Sequence, residues 1–415
     1  MPRVLRTGAL LVLIAAVCAP LELRADYSEA VEAFRSGDFA RAEEGFRAVT
    51  EARPEYAAGH LMLGRTLLEL GEVAGAVTSL ERAVELEPEV TTHAYFLARG
   101  RLEAGRPGAA LEVLARRPLS EVPAKVRGAY AGVLARAAEE SGGTVGRAAL
   151  EEAVEQAPDS AVLWLTLGRL YREAERPREA FAATEKAFEL SGGKPGRPRL
   201  GRLAVRDAFA GARAETDREA GKEWYRRGAE VAERLVQASP EPESWLLLGE
   251  ARMGAGDCGA AVEAFGEADP NDPRTRYYLG SCSVKLGELD RAFAELRAAL
   301  ELGPEPELAR RIHAGLGAAH RHREEFEQAA AAYRKAGESE KVAAMEELAE
   351  AALVNDEIDA RRRRCRQRQG ELESVVAENR DLEGTPEFAR LRRSWHELRL
   401  ECADVLEIPA FPEES

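Results

Sequence analysis

The sequence predicts an all-helical protein, a solenoid of stacked helix pairs followed by a C-terminal antiparallel helical hairpin. Three observations carry that prediction. The 415 residues are 45% hydrophobic but only 6% aromatic, with 32% charged residues, a profile that favours helices packed through small side chains. Glycine, alanine and proline recur at fixed offsets through most of the chain. Residues 340–382 carry no proline and one glycine, Gly370, with apolar residues at seven-residue spacing.

The first 25 residues read as an export signal. Arg3 and Arg6 make a short basic region, Gly8 to Ala19 is an apolar run, and a turn-prone stretch, Pro20 to Ala25, follows. The run is shorter than the roughly 20 residues a membrane span needs. Cleavage is expected after Ala25, which places the chain in the periplasm or outside the cell. Cys18 raises an alternative, an outer-membrane lipoprotein, but Val17 precedes it where lipid attachment wants a small residue.

The repeat comes next. One copy reads Trp164, Leu167-Gly168, Tyr171, Ala180, Ala187. Others read Trp245, Leu248-Gly249, Gly256, Ala261, Phe265, Ala268, Pro273; Leu63-Gly64, Gly71, Ala76, Leu80, Ala83, Pro88; and Leu279-Gly280, Gly287, Ala292, Leu296, Ala299, Pro304. Weaker copies begin near Gly37 and Leu316, and degenerate ones fill 91–120 and 127–160. Each unit is two amphipathic helices. The small residues let the pair close up, and the proline stops the second helix. No unit can bury its apolar face alone, so the units must stack. The breaker-rich run Gly192 to Pro198 and two longer helical stretches interrupt the period. The expected order is therefore a first block at 26–194, an enlarged repeat at 195–241, which divides the array and offers a hinge, and a second block at 242–339.

The hairpin is expected at 340–407, with a tail at 408–415. Ile358, Cys365 and Leu372 are seven apart; Val354, Val375 and Leu382 take the companion position, with Arg361 and Arg368 interrupting. Gly384-Thr385-Pro386 makes the turn, Thr385 capping a helix that Pro386 opens. The returning stripe is Phe388, Leu391, Trp395, Leu398, Cys402 and Val405. Cys365 and Cys402 lie 19 and 18 residues either side of Gly384, so a disulfide across the hairpin is geometrically reasonable. Cys258 and Cys282, on neighbouring helices, are a second candidate pair, with buried free thiols as the alternative for both pairs.

No catalytic constellation, cofactor motif or metal-ligand set stands out. The glycine-rich spots lack the Lys-Ser/Thr pair of a phosphate loop, and Leu400 stands where a zinc-protease motif after His396-Glu397 needs histidine. His313, His320 and His322, with Glu324 and Glu325, are the one cluster with metal-like composition; His313 and His320 are two turns apart on one helix face, His322 points elsewhere, and solvated histidines are the plainer account. The run from Arg361 to Arg368 wraps round its helix and reads as a solvated, partly paired surface. A net charge of −15 argues against nucleic acid as the ligand.

The copies quoted above resemble the tetratricopeptide repeat. That resemblance implies a right-handed superhelix whose concave face is lined by the first helix of each pair. It places Tyr27, Leu61, Tyr95 and Leu165 in a groove, with Arg65, Arg99 and Arg169 a turn away and Glu69, Glu103, Glu139 and Glu173 beyond them. Such an arginine ladder suits an extended segment with spaced carboxylates, unless each Arg and Glu at i and i+4 simply satisfy one another. The implied role is an envelope scaffold that binds a protein or peptide, with the hairpin for a second contact or self-association. An envelope-polysaccharide binder is the alternative, and a metal-dependent hydrolase at His313 and His320 a more distant one.

Overall fold

The computed structural model describes residues 21–192, 197–379 and 385–411, with twenty helices and no strand among them. Residues 1–20 of the expected export segment, most of the breaker-rich linker and Gly384 of the expected turn lie outside that range. The chain divides into two compact units at Gly256–Asp257.

In the first unit helices follow in pairs. They are α1 (Leu21–Ser36) and α2 (Phe39–Ala52), α3 (Ala57–Glu69) and α4 (Val73–Leu86), α5 (Thr91–Glu103) and α6 (Pro107–Ala115). After them come α7 (Ala124–Ser141) and α8 (Gly143–Gln156), α9 (Ala161–Glu173) and α10 (Pro177–Leu190), α11 (Arg197–Ala214) and α12 (Arg218–Ala238), then α13 (Pro242–Ala255). Local chemistry sets the ends. Asp38 and Asp217 accept backbone N–H bonds at the starts of α2 and α12, and proline opens α6, α10 and α13, where no intrahelical donor is lost. First helices stack on first helices: α1 on α3, α3 on α5, α5 on α7, α7 on α9, and α11 on α13. The core between the layers includes fully buried Phe46, Leu80, Leu150, Leu163 and Phe181, each worth about 1.5–3 kcal/mol of burial.

The described part of the enlarged repeat, 197–241, continues the stack. Helix α11 buries Ala204, Val205, Ala208 and Phe209, and α12 buries Trp224, Val231 and Leu235. The division between compact units thus falls between the two helices of the Trp245 repeat and not in the enlarged one.

The second unit runs α14 (Cys258–Gly266), α15 (Pro273–Leu286), α16 (Leu289–Glu301), α17 (Pro306–His322), α18 (Phe326–Ala336), the 40-residue α19 (Ser339–Glu378) and α20 (Pro386–Cys402). Gly287 ends α15 in the left-handed region at φ 79°, which a side chain would resist. Helix α19 packs its first turns on α18 through Met345 and its far half on α20. No helix among the described residues is long and apolar enough to cross a membrane.

Cys365 and Cys402 are joined by a disulfide with Cα atoms 6.1 Å apart. Cys258 and Cys282 are not joined: both are buried thiols. Thr385 Oγ caps α20 by accepting from the Phe388 N–H at 3.3 Å. The stripe facing α20 is Cys365, Leu372 and Val376, while Val375 is exposed, because the helix turns every 3.6 residues and not every 3.5. Arg361 and Arg368, read as interruptions, reach across to Asp404 and Glu401. The residues expected to begin a tail are part of the hairpin core. Ile408 and Phe411 are buried, Phe411 lies edge-on to Phe388 and Trp395, and the Trp395 indole donates to the Pro409 carbonyl at 3.0 Å. Ile-Pro-Ala-Phe has no helical period, so periodicity alone could not assign it.

Candidate functional site

The expected arginine ladder divides into two places within the first unit. In the first, α1, α3 and α5 bring Arg65 between two rings: its guanidinium lies 5.0 Å from the Phe34 centroid and 4.5 Å from that of Phe96. Arg99 sits 5.7 Å from the same Phe96 ring. Arg65 is half-buried, and burial together with the neighbouring Arg99 charge pulls its pKa below the ordinary arginine value. Among the described residues no carboxylate is within ion-pair distance of Arg65; Nη1 instead contacts Met62 Sδ at 3.3 Å. Glu69, the expected i+4 partner, does not close on it.

The other groove positions fall around this pair. Leu61 is half-buried against the core. Tyr95 lies edge-on to Phe96 and, with Val126, Ala129 and Tyr130, lines an apolar hollow of about 210 Å³. Tyr27 faces inward instead, edge-on to Phe46 and Tyr56, and burial raises its phenol pKa. Phe34 and Phe96 were not among the expected groove residues. Phe96 is one step round the helix from Tyr95, and its role depends on where Arg65 arrives from the next pair.

Leu165 and Arg169 lie elsewhere, in a cleft of about 610 Å³ between α9 and α11. Arg172, Arg199, Leu200, Arg202, Leu203 and Arg206 complete it. The α11 residues recur at steps of one to three, and none of them was among the expected groove residues. Arg169 pairs with Glu139 on α7 and not with Glu173. Arg202 and Arg206 pair with Glu241 and Glu243, and Arg199 has no ion pair among the described residues. Arg172 donates to Asp207, whose carboxylate is buried and also accepts from Thr184 at 2.7 Å. Of the three expected i, i+4 pairs in the ladder, only Arg99 with Glu103 forms, at 3.7 Å.

The second unit holds the histidines. His320 Nδ1 is 2.6 Å from Glu325 and its ring packs on Phe293, so hydrogen bonding and stacking account for it. His313 is half-buried, and burial lowers its pKa. Within the arginine run, Arg361 pairs with Asp404 and Arg362 with Asp359, and Arg362 also donates to the Val405 carbonyl. These contacts hold the end of the hairpin.

A sequence model of the tetratricopeptide repeat matches residues 27–89, 61–121, 212–274, 246–307 and 284–343, more than half of the chain. Among solved structures, a tetratricopeptide-repeat protein from Parabacteroides merdae is 15% identical, covering 72% of this chain and 99% of its own, with TM-score 0.31. MamA from Desulfovibrio magneticus is 17% identical, covering 54% and 98%, with TM-score 0.31. YrrB, described as a tetratricopeptide-repeat protein with an unusual peptide-binding site, is 20% identical, covering 45% and 90%, with TM-score 0.33. No curated protein sequence matches the chain.

Proposed function

The chain belongs to the tetratricopeptide-repeat family, and on that premise we propose that it is an exported scaffold of the cell envelope, binding an acidic protein segment in its concave groove. One observation carries this reading. A half-buried guanidinium, Arg65, lies between two aromatic rings beside a second arginine and has no carboxylate partner among the described residues. Holding a cation there without a counter-charge costs free energy, and a carboxylate from a partner would offset that cost with charge-assisted hydrogen bonds. The rings supply apolar surface around the charge, so an aromatic or aliphatic residue next to an acidic one suits the site. Export is supported by the basic and apolar pattern of the first 25 residues and fits a disulfide-bonded hairpin.

The test is capture from an envelope extract with the parent chain, followed by titration of overlapping synthetic peptides of the recovered partner. An acidic peptide should bind the parent, weaken with salt, and lose at least about tenfold, roughly 1.4 kcal/mol, in Arg65→Ala/Arg99→Ala. Arg169→Ala should leave that binding intact, because Arg169 lines the other cleft. Equal affinity for parent and double variant would remove the Arg65 groove as the site.

A further inference from the structure

The last two helices of the second unit carry unpartnered surfaces of opposite charge. Between Met345, buried against α18, and Cys365, fixed to α20, the stretch 346–360 of α19 holds six carboxylates and no lysine or arginine; Glu346 pairs with Arg334 and Asp359 with Arg362, which leaves four without an ion pair among the described residues. Val354 and Ile358 are 49% and 38% exposed there, and they continue the apolar stripe that α20 covers further along. Glu347, Glu350 and Glu357 lie on the same helical face by their spacing, and none has an ion pair among the described residues.

Helix α20 offers the complement on its outer side. Leu400, at 67%, is the most exposed large apolar side chain among the described residues. Arg393 and His396 precede it on the same face, Glu397 lies there too, and Arg399 borders it, so the arginines outnumber the one carboxylate. None of the Arg393, His396 and Arg399 side chains has an ion pair among the described residues. Arg392, Arg393, His396 and Arg399 line a groove of about 410 Å³ beside the helix.

Within one chain the two faces do not meet. Helix α20 runs antiparallel to the far half of α19, and Cys402 is held at Cys365, where the bare acidic stretch has already ended. We propose that a second copy of this chain covers that stretch: α20 of each copy lies on residues 346–360 of the other in a twofold dimer. Charge favours this over two acidic stretches meeting each other. Length also matches, about 22 Å of bare helix against about 25 Å of α20. Two complementary patches on one chain, used reciprocally, are what an isologous interface requires.

Charge reversal tests this directly. The full chain should sediment at twice the mass of one chain at micromolar concentration. Glu347→Arg/Glu350→Arg should sediment as a single chain, and so should Arg393→Glu/Arg399→Glu. An equimolar mixture of the two variants should return to double mass, because both reciprocal contacts regain opposite charges. That recovery also shows that both variants fold. A parent chain that stays single at 100-fold higher concentration would overturn the proposal and leave another protein as the occupant. Variants that remain dimeric alone would overturn it by placing the interface elsewhere.

Discussion

Gly64 on α3 lies so close to Leu80 on α4 that a Cβ at position 64 would stand 2.5 Å from Leu80 Cγ. The same sixteen-residue relation brings Gly280 against Leu296 at 2.6 Å, Gly168 against Thr184 at 2.8 Å and Gly317 against Tyr333 at 2.8 Å. In these four units the helix pair is thus held by a backbone-to-side-chain contact that leaves no room for a Cβ. Gly64→Ala should destabilise by roughly 1–3 kcal/mol, since overpacking outweighs the gain in helix propensity. Gly132 in the degenerate repeat has nothing within 4 Å of its would-be Cβ. Gly132→Ala should therefore stabilise by about 0.5–1 kcal/mol. Urea midpoints decide it, and shifts of the same sign would show that close approach is not what position 64 serves.

That contact explains how far the sequence could be read. Gly64 with Leu80 and Gly280 with Leu296 report on helix pairing inside one unit, where partners are a fixed distance along the chain. The helical pairs of the array were legible for that reason. The groove was less so, because its contacts join separate units: Arg65 meets Phe34 and Phe96, about thirty residues away on either side. Whether Arg169 turns to Glu139 or Glu173 likewise depends on how α7 lies on α9. The segment from Ile408 to Phe411 read only as a tail, since nothing periodic marks a stretch of chain that packs by single residues.

The link from Arg172 to Asp207 makes a prediction about pH. Burial raises the pKa of Asp207 above its ordinary value, although Thr184 and Arg172 both donate to it. The folded state therefore holds the Asp207 proton to higher pH than the unfolded chain does. Its charged form weakens the fold above the raised pKa, and stability is regained as pH falls through it, levelling off below the unfolded value near ~3.9. Asp207→Asn removes this dependence and should be close to neutral at pH 7, whereas Arg172→Met strands a buried carboxylate and should cost roughly 2–3 kcal/mol. Urea unfolding of the three proteins from pH 4 to 7 checks both statements. A parent that loses stability on acidification relative to Asp207→Asn would reverse the sign and refute the first.

The disulfide between Cys365 and Cys402 spans 37 residues. Closing a loop of that length limits the unfolded chain by roughly 3–4 kcal/mol. Reduction should leave the repeats of the first unit intact and loosen the hairpin. Trypsin should then cut faster at Arg390, Arg393 and Arg399 on α20, with little change at Arg65. Cys365→Ser/Cys402→Ser should show the same fragments without reductant. Unchanged cleavage in both would mean that Trp395, Leu398 and Phe411 hold the hairpin unaided.

The remaining two cysteines should behave in the opposite way. Cys258 and Cys282 are buried thiols, and burial, with a hydrogen bond between the Cys282 thiol and Cys258 adding to it, pushes the Cys282 thiol up to about 12. Only the thiolate attacks an alkylating agent, and at pH 8 a thiol with that pKa is ionised in about one molecule in ten thousand. Iodoacetamide should leave both residues unmodified in the folded chain and modify both once denaturant is added, as read by peptide mass. Stoichiometric labelling of Cys282 under native conditions would mean that α14 and α15 open often enough to expose it. The buried pair would then be a point of local unfolding and not part of a closed core.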